Sequence, residues 1–283
     1  MIPLSIITIN LNNAAGLEKT ARSVNEQTFL DFEYIIIDGG STDKSVEMID
    51  KFSDRITYSI SEHDQGIYHA MNKGIKRAKG EYCLFLNSGD WLATPTILEE
   101  VFAKKPQADV VAGDIYFYDN QKQTVQWHVT SPEEITAKTL FLGTLPHQAT
   151  FVRRRLFDLV GLYNEQLRIA SDWLFFVEAL LVHQCSYAHY PAPIAYFNMD
   201  GISCNPATNG LPRQEQRLML QARYPRFMAD YEQLDKFEKE RQQWFASREY
   251  AVYLFLERSR IIQSGVFLRR IKRFVLRMLA RRK

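Results

Sequence analysis

Three carboxylates lie roughly 25 residues apart, each in or beside a polar turn, and each suits a different chemistry. Asp38 closes the apolar run Tyr34-Ile35-Ile36-Ile37 and is followed by Gly39-Gly40-Ser41-Thr42-Asp43. An ionised carboxylate only accepts hydrogen bonds, which fits a base N–H or a ribose hydroxyl. The two glycines allow a tight turn with close backbone approach. Ser41 or Thr42 is then expected to cap the following helix, whose first amides could face an anion. A capped strand-to-helix turn with no ligand would use the same residues. Asp64 lies in the loop Ser61-Glu62-His63-Asp64-Gln65-Gly66, which runs into a helix carrying Asn72 and Lys73 near its start. Lys76, Arg77 and Lys79 read as the solvated face of that helix. Asp90 ends Phe85-Leu86-Asn87-Ser88-Gly89-Asp90. A carboxylate there is costly unless it meets a cation or a donor. A divalent ion held by one or two carboxylates plus substrate phosphates would be such a partner. As a single motif, an ordinary turn aspartate is the competing reading.

His147 follows Pro146 between the apolar residues Leu145 and Phe151, which suggests a half-buried place near a sheet edge. Structural histidines are common in such turns. His63, His69, His128, His183 and His189 have no ligand-like spacing.

The elements that must position these groups alternate over the first 113 residues. Short β-branched or aromatic runs at Leu4–Ile9, Glu33–Ile37, Ile56–Ile60, Tyr82–Leu86 and Val110–Ala112 predict buried strands. Helical stretches are expected over Ala14–Gln27, Ser41–Phe52, Gly66–Ala78 and Thr96–Lys104, the last opened by Thr94-Pro95 as cap and first-turn proline. Repeated β-α-β units of this length predict right-handed crossovers and a mostly parallel sheet. Ligands of such sheets bind beyond the carboxyl ends of the strands, where the polar segments fall. A hairpin is expected over Ile115–His128 and a helix over Asp172–Val182, and the pattern is helical beyond Asn209. A soft boundary near residue 205 divides a domain 1–205 (halves about 1–113 and 114–205) from a helical extension, 206–283.

The bulk properties are those of a folded globular chain: 283 residues, 46% hydrophobic, 24% charged and 13% aromatic. The start, MIPLSIITIN, lacks the basic and small-residue marks of a signal peptide and is too short to span a bilayer. Cys83, Cys185 and Cys204 fit neither a zinc site nor a disulfide framework, so a reducing cytoplasm is the default. Net charge is +2, but residues 267–283 hold 8 basic and no acidic side chains. The remainder carries 27 basic against 33 acidic residues, a net of −6. That asymmetry points to a local anionic partner and away from nucleic acid. On a helical wheel the tail places Phe267, Ile271, Phe274, Met278 and their neighbours opposite its arginines, the pattern of a helix lying on anionic lipid. A terminal helix packed on the body is the alternative.

Taken in order, these segments resemble the inverting family-2 glycosyltransferases of GT-A fold. The similarity is closest to the branch building bacterial exopolysaccharide, colanic-acid-type and O-antigen repeat units. It rests on SIITINLNN, IIIDGGSTD, SEHDQGIYHAMNKGIKRAKGEYCLFLNSGD, LPHQATFVRR and RIASDWLFF, and covers about residues 3–200. The resemblance implies an α/β fold with a nucleotide-binding sheet. Thr8, Asp38 and Asp64 would line the nucleoside pocket, with Asn72 nearby. Asp90, in the DXD position, would hold Mn²⁺ or Mg²⁺ against the diphosphate. Asp172 would be the general base, which from its place at a helix start alone would read as a cap, and His147 would lie near the acceptor or the metal. The implied donor is a nucleotide sugar, foremost a UDP-sugar. The implied acceptor is a lipid-linked saccharide at the cytoplasmic face of the cell membrane. Two departures stand out: Asn87 replaces the first carboxylate of the DXD, and Met71 stands where arginine is common.

A sugar nucleotidyltransferase would want a Gly-rich basic loop after the first strand, but Asn10-Leu11-Asn12-Asn13 stands there. No GxGxxG follows any strand, which disfavours a nicotinamide dehydrogenase. A catalytically impaired nucleotide-binding or scaffold module is the other rival. Asn87 gives it room, and Asp172 opposes it.

Overall fold

β1 (Leu4–Asn10) and β2 (Phe32–Asp38) are buried at every position. Such continuous burial marks central parallel strands covered on both faces. Around them lie α1 (Ala14–Asn25), α2 (Ser45–Lys51), β3 (Tyr58–Ser61), α3 (Ile67–Arg77) and β4 (Tyr82–Phe85). The parallel pairings β2–β3, β1–β2 and β1–β4 give the order β3-β2-β1-β4. α3 lies tight on β1 at Gly74, where a Cβ would stand 2.4 Å from the Ile7 Cγ2.

This computed structural model describes residues 2–258 except 202, 203, 205–207 and 209. The tail 267–283 and residue 205, where the boundary is expected, lie outside the described residues.

Two expected helix starts are shifted. α2 begins at Ser45 with Lys44 at its N-cap and no side-chain cap, because the Ser41 hydroxyl is engaged by Asp38. α4 (Ile97–Ala103) has Thr96, not Thr94, at its N-cap.

The second half adds β5 (Trp91–Leu92), β6 (Val110–Asp119), β7 (Thr124–Val129), α5 (Ala137–Leu142), β8 (Thr150–Arg153), α6 (Leu156–Leu159), α7 (Ser171–Val177) and β9 (Tyr187–Asn198). β6 and β7 form the expected antiparallel hairpin, and a π-helical turn, Glu178–Val182, prolongs α7. The sheet order is β3-β2-β1-β4-β8-β6-β9-β5, with β7 on β6. Antiparallel pairing enters at β4–β8 and β6–β8, while β6 and β9 run parallel. One core of Leu4, Ile36, Leu84, Val111 and Phe151, with their neighbours, runs through both halves.

α8 (Leu211–Arg223), α9 (Met228–Phe245) and α10 (Arg248–Arg258) follow. The chain divides into two compact units, 1–226 and 227–283, and α8 belongs to the first. Among the described residues no helix is long and apolar enough to cross a membrane. Cys83, Cys185 and Cys204 are free thiols.

Candidate active site

Parallel register sets Asn10 beside Asp38, and Asp38 beside Ser61, at the carboxyl ends of β1, β2 and β3. Asp38 is fully buried and accepts hydrogen bonds from Asn10 Nδ2 (2.7 Å), Ser41 Oγ (2.6 Å), Ser61 Oγ (2.6 Å) and Ser41 N (2.9 Å). Burial opposes its charge, but the bonds from Ser41, Ser61 and Asn10 outweigh it and hold the carboxyl below the usual range. A carboxylate has about four lone-pair sites, and these four donors use them. In this structure Asp38 is engaged by these protein donors and shapes the turn whose Gly39 borders a cavity of about 780 Å³.

Two other expected pocket residues also lie one layer deeper. Thr8 is fully buried, donating to the Leu86 carbonyl (2.8 Å) beside the Tyr34 hydroxyl (3.1 Å). Asn72 is buried and clamps a distant loop, donating to Tyr163 O (2.9 Å) and Glu165 Oε1 (2.8 Å) and accepting from Tyr163 N (3.0 Å). Asp64 does line the cavity, ion-paired to Lys73 at 2.6 Å with the His69 Nδ1 2.9 Å away. His69, given no role from its spacing, thus supports a cavity carboxylate.

The turn after β4 forms the cavity's floor. Gly89 has φ +105°, a conformation that calls for glycine, and it lies close to the Asn198 side chain. Thr20 of α1 holds this turn: its hydroxyl lies 2.6 Å from Asp90 O and accepts from Gly89 N at 2.9 Å. Sequence pattern offered no sign of Thr20, because its partners are backbone atoms some seventy residues away. Asp90 is buried at the cavity wall and accepts from Asn198 N at 2.8 Å. Burial pushes its carboxyl up to about 7, against the bond from Asn198 and the nearby His147.

His147 joins this turn to a second cavity of about 330 Å³, because its side chain borders both. Its Nε2 is 3.3 Å from Asn87 Nδ2 and its Nδ1 is 3.1 Å from Asp172 Oδ2. Asp172 is not a cap: Ala170 holds that position, and the Asp172 carboxylate lines the second cavity. Its other oxygen lies 2.9 Å from the Tyr68 hydroxyl, whose single proton is shared with the Ile169 carbonyl at 2.5 Å. Burial, then the charge of Asp172, pushes the Tyr68 phenol well above its usual range, so it remains a proton-bearing donor.

Glu215, on α8, is buried and accepts from the backbone N–H groups of Arg168 (2.7 Å), Ile169 (3.0 Å) and Ala170 (3.0 Å). These amides directly precede Asp172. A carboxylate bound to three N–H donors is a strong anchor, and it belongs to a helix that amphipathic pattern alone read as an appendage.

The glycosyl transferase family 2 model matches residues 5–180. The chain belongs to that family. A PGL/p-HBAD biosynthesis glycosyltransferase of Mycobacterium bovis is 35% identical over 177 residues, covering 60% of this chain and 67% of the relative. Among solved structures, Staphylococcus aureus TarS 1–349 in complex with UDP-GlcNAc is similar with TM-score 0.62 and 18% identity, over 86% of this chain and 75% of that one. A Pyrobaculum calidifontis mannosyltransferase in complex with GDP-Man and Mn²⁺ gives TM-score 0.54 at 13% identity, over 88% and 82%. These likenesses establish the GT-A fold of this glycosyltransferase.

The residues around Asp90 fit a divalent cation. The Asn87 Oδ1 is buried without a hydrogen-bond partner, and Asp90 supplies a buried carboxylate from the same turn. Both are hard oxygen donors, as Mg²⁺ or Mn²⁺ prefers. No group of three His, Cys, Asp or Glu side chains forms a metal cage among the described residues. An ion here would complete its shell with substrate phosphates and water, so Asn87 in the DXD position is compatible with a metal site.

Proposed function

We propose that this glycosyltransferase inverts the anomeric centre of a nucleotide sugar, with UDP-sugars the first choice. It transfers the sugar to a hydroxyl of a lipid-linked saccharide during surface polysaccharide or glycolipid assembly. One observation carries the reading: a single imidazole, His147, touches both Asp172 and the Asn87–Asp90 turn. That contact supports an acceptor-activating carboxylate on one side of the imidazole and the donor's diphosphate end on the other.

Asp90 and the Asn87 oxygen would hold Mn²⁺ or Mg²⁺, which when bound neutralises charge on the leaving diphosphate. Asp172 has one polar neighbour on each oxygen, His147 Nδ1 and the Tyr68 hydroxyl, which leaves a lone pair free for an acceptor hydroxyl. As the hydroxyl oxygen bonds to the anomeric carbon, its proton passes to Asp172 and the bond to the diphosphate oxygen breaks. Attack from the face opposite the leaving group inverts the centre without a covalent sugar–enzyme intermediate. Tyr68 and His147 hold the carboxylate in one orientation throughout. Asp38, Thr8 and Asn72 act indirectly, fixing the turns on which the cavity residues stand.

The named relatives support the setting, since the mycobacterial protein is named for PGL/p-HBAD biosynthesis and TarS was crystallised with UDP-GlcNAc. The basic tail favours the cytoplasmic face of an anionic membrane, where each lysine or arginine contributes about 1 kcal/mol; co-sedimentation with anionic against neutral liposomes tests that part. The decisive screen is a panel of UDP-, GDP- and dTDP-sugars, scored by thermal shift and donor hydrolysis with and without Mn²⁺. One donor should respond in a metal-dependent way, and its transfer product should carry the opposite anomeric configuration by NMR. A panel with no response, or a retained configuration, would overturn the reading.

A further inference from the structure

The two cavities that meet at His147 have different walls. The larger sets Asn13, Lys19, Asp64, Ser88, Asn198 and Asp200 among the apolar Leu11, Ile67 and Phe197, a lining able to hydrogen-bond a nucleotide sugar along its length. The smaller, which holds Asp172, is walled by Met71, Ile115, Phe117, Val129, Leu145 and Trp173. The indole N–H of Trp173 already donates to the Leu140 carbonyl, so its ring offers this cavity only an apolar surface. Asp172, His147, Asn87 and Gln148 supply polar atoms, three of them shared with the larger cavity, and Tyr68, Thr144, Arg168 and Gln216 add four more polar side chains around the apolar wall.

We propose that this second cavity takes an apolar group, an alkyl or aryl aglycone, attached close to the hydroxyl that Asp172 activates. The proposal rests on Asp172 being the acceptor base. A fully hydroxylated sugar filling this space would leave hydroxyls against Ile115, Phe117 and Leu145, and each desolvated hydroxyl without a partner is unfavourable. An alkyl or aryl group needs no partner and gains from burial. Met71 fits the same role. It is buried and lines this cavity, lending it a flexible, uncharged thioether.

The test uses the full-length protein with whichever donor shows metal-dependent hydrolysis. Methyl, butyl, hexyl and phenyl glycosides of one sugar are compared as acceptors, across a panel of sugars. KM should fall about four-fold for each methylene buried, until the cavity is filled. Phe117→Gln should flatten that dependence, and so should Val129→Ser, whose exposed edge position tolerates substitution. Equal KM across the series, with donor hydrolysis intact, would overturn the apolar subsite and leave the glycosyltransferase reading standing. A chain-length dependence that persists unchanged in both folded variants would also overturn it, because the preference would then arise elsewhere. Absence of donor hydrolysis with every donor would remove the reading beneath it, and this proposal with it.

Discussion

The cavity proposed for the donor and the one proposed for the acceptor draw on different parts of the fold. The first is built on the turns after neighbouring parallel strands, β1, β2 and β4, and is closed by Asp64 and by Asn120, His147, Asn198 and Asp200 from the second half. The second gathers α3, β6, the loop after α5, α7 and α8, elements separated by up to 150 residues of chain. Parallel register alone lines up Asn10, Asp38 and Ser61. Nothing so regular places Asp172, which depends on Tyr68, His147 and, through the backbone, Glu215. The β1, β2 and β4 turns of the larger cavity should therefore be sensitive to local changes, while the orientation of Asp172 should be sensitive to changes in α3, the loop after α5 and α8.

Substitutions can separate the two. Asp90→Ala should have the largest effect, weakening Mn²⁺-dependent UDP binding by on the order of 10²–10³-fold, the several kcal/mol of charge stabilisation a metal supplies. Calorimetry with and without Mn²⁺ reads it, and metal-independent binding should barely move. His147→Ala comes next, because it is the one side chain shared by Asp172 and the Asn87–Asp90 turn. Turnover should fall roughly 10- to 100-fold, as for other residues that orient metal and base ligands, with a smaller loss of UDP affinity. Glu215→Gln should lower kcat several-fold and stability by about 1–3 kcal/mol, since one backbone N–H loses its acceptor. UDP affinity should be unchanged; an equal loss of both would mean the helix supports the whole domain instead of Asp172.

The smallest effect is a pH-dependent one. The carboxyl of Asp38 is held below its ordinary value, so it stabilises the fold above pH of about 4, its unfolded value. That contribution is lost as pH falls through the lower folded value. Asp38→Asn should thus be less stable by about 1–3 kcal/mol at neutral pH, and the gap to wild type should close in acid. Chemical denaturation from pH 7 to pH 3 measures it.

Legibility in the sequence follows the same division. The strand and helix alternation of the first half was plain because each buried strand is a local apolar run, and the position of Asp90 followed from one such run. The chemistry of the buried layer was less visible. Thr8, Asp38 and Asn72 have the residue types of ligand-binding groups, yet their partners are Leu86, Ser61 and Tyr163, which only the folded sheet and loops bring near. Ser41 had the identity of a helix cap, and the stronger bond to Asp38 claimed it. Thr20, His69 and Glu215 act on backbone atoms or on another side chain across the fold, so no spacing rule reveals them. Asp172 and His147 were singled out through family resemblance, whereas their 3.1 Å contact was visible only in the fold.

The central claim is that Asp172 activates the acceptor while Asp90 serves the donor. Asp172→Asn keeps the shape of the side chain and removes its capacity to take a proton. Steady-state transfer and UDP–Mn²⁺ calorimetry on the same folded preparation test the claim most directly. Turnover should fall by roughly 10²-fold or more, as expected for a lost general base, with UDP–Mn²⁺ affinity within about two-fold of wild type. Near-normal turnover, or a loss of UDP–Mn²⁺ affinity matching the loss of turnover, would contradict it.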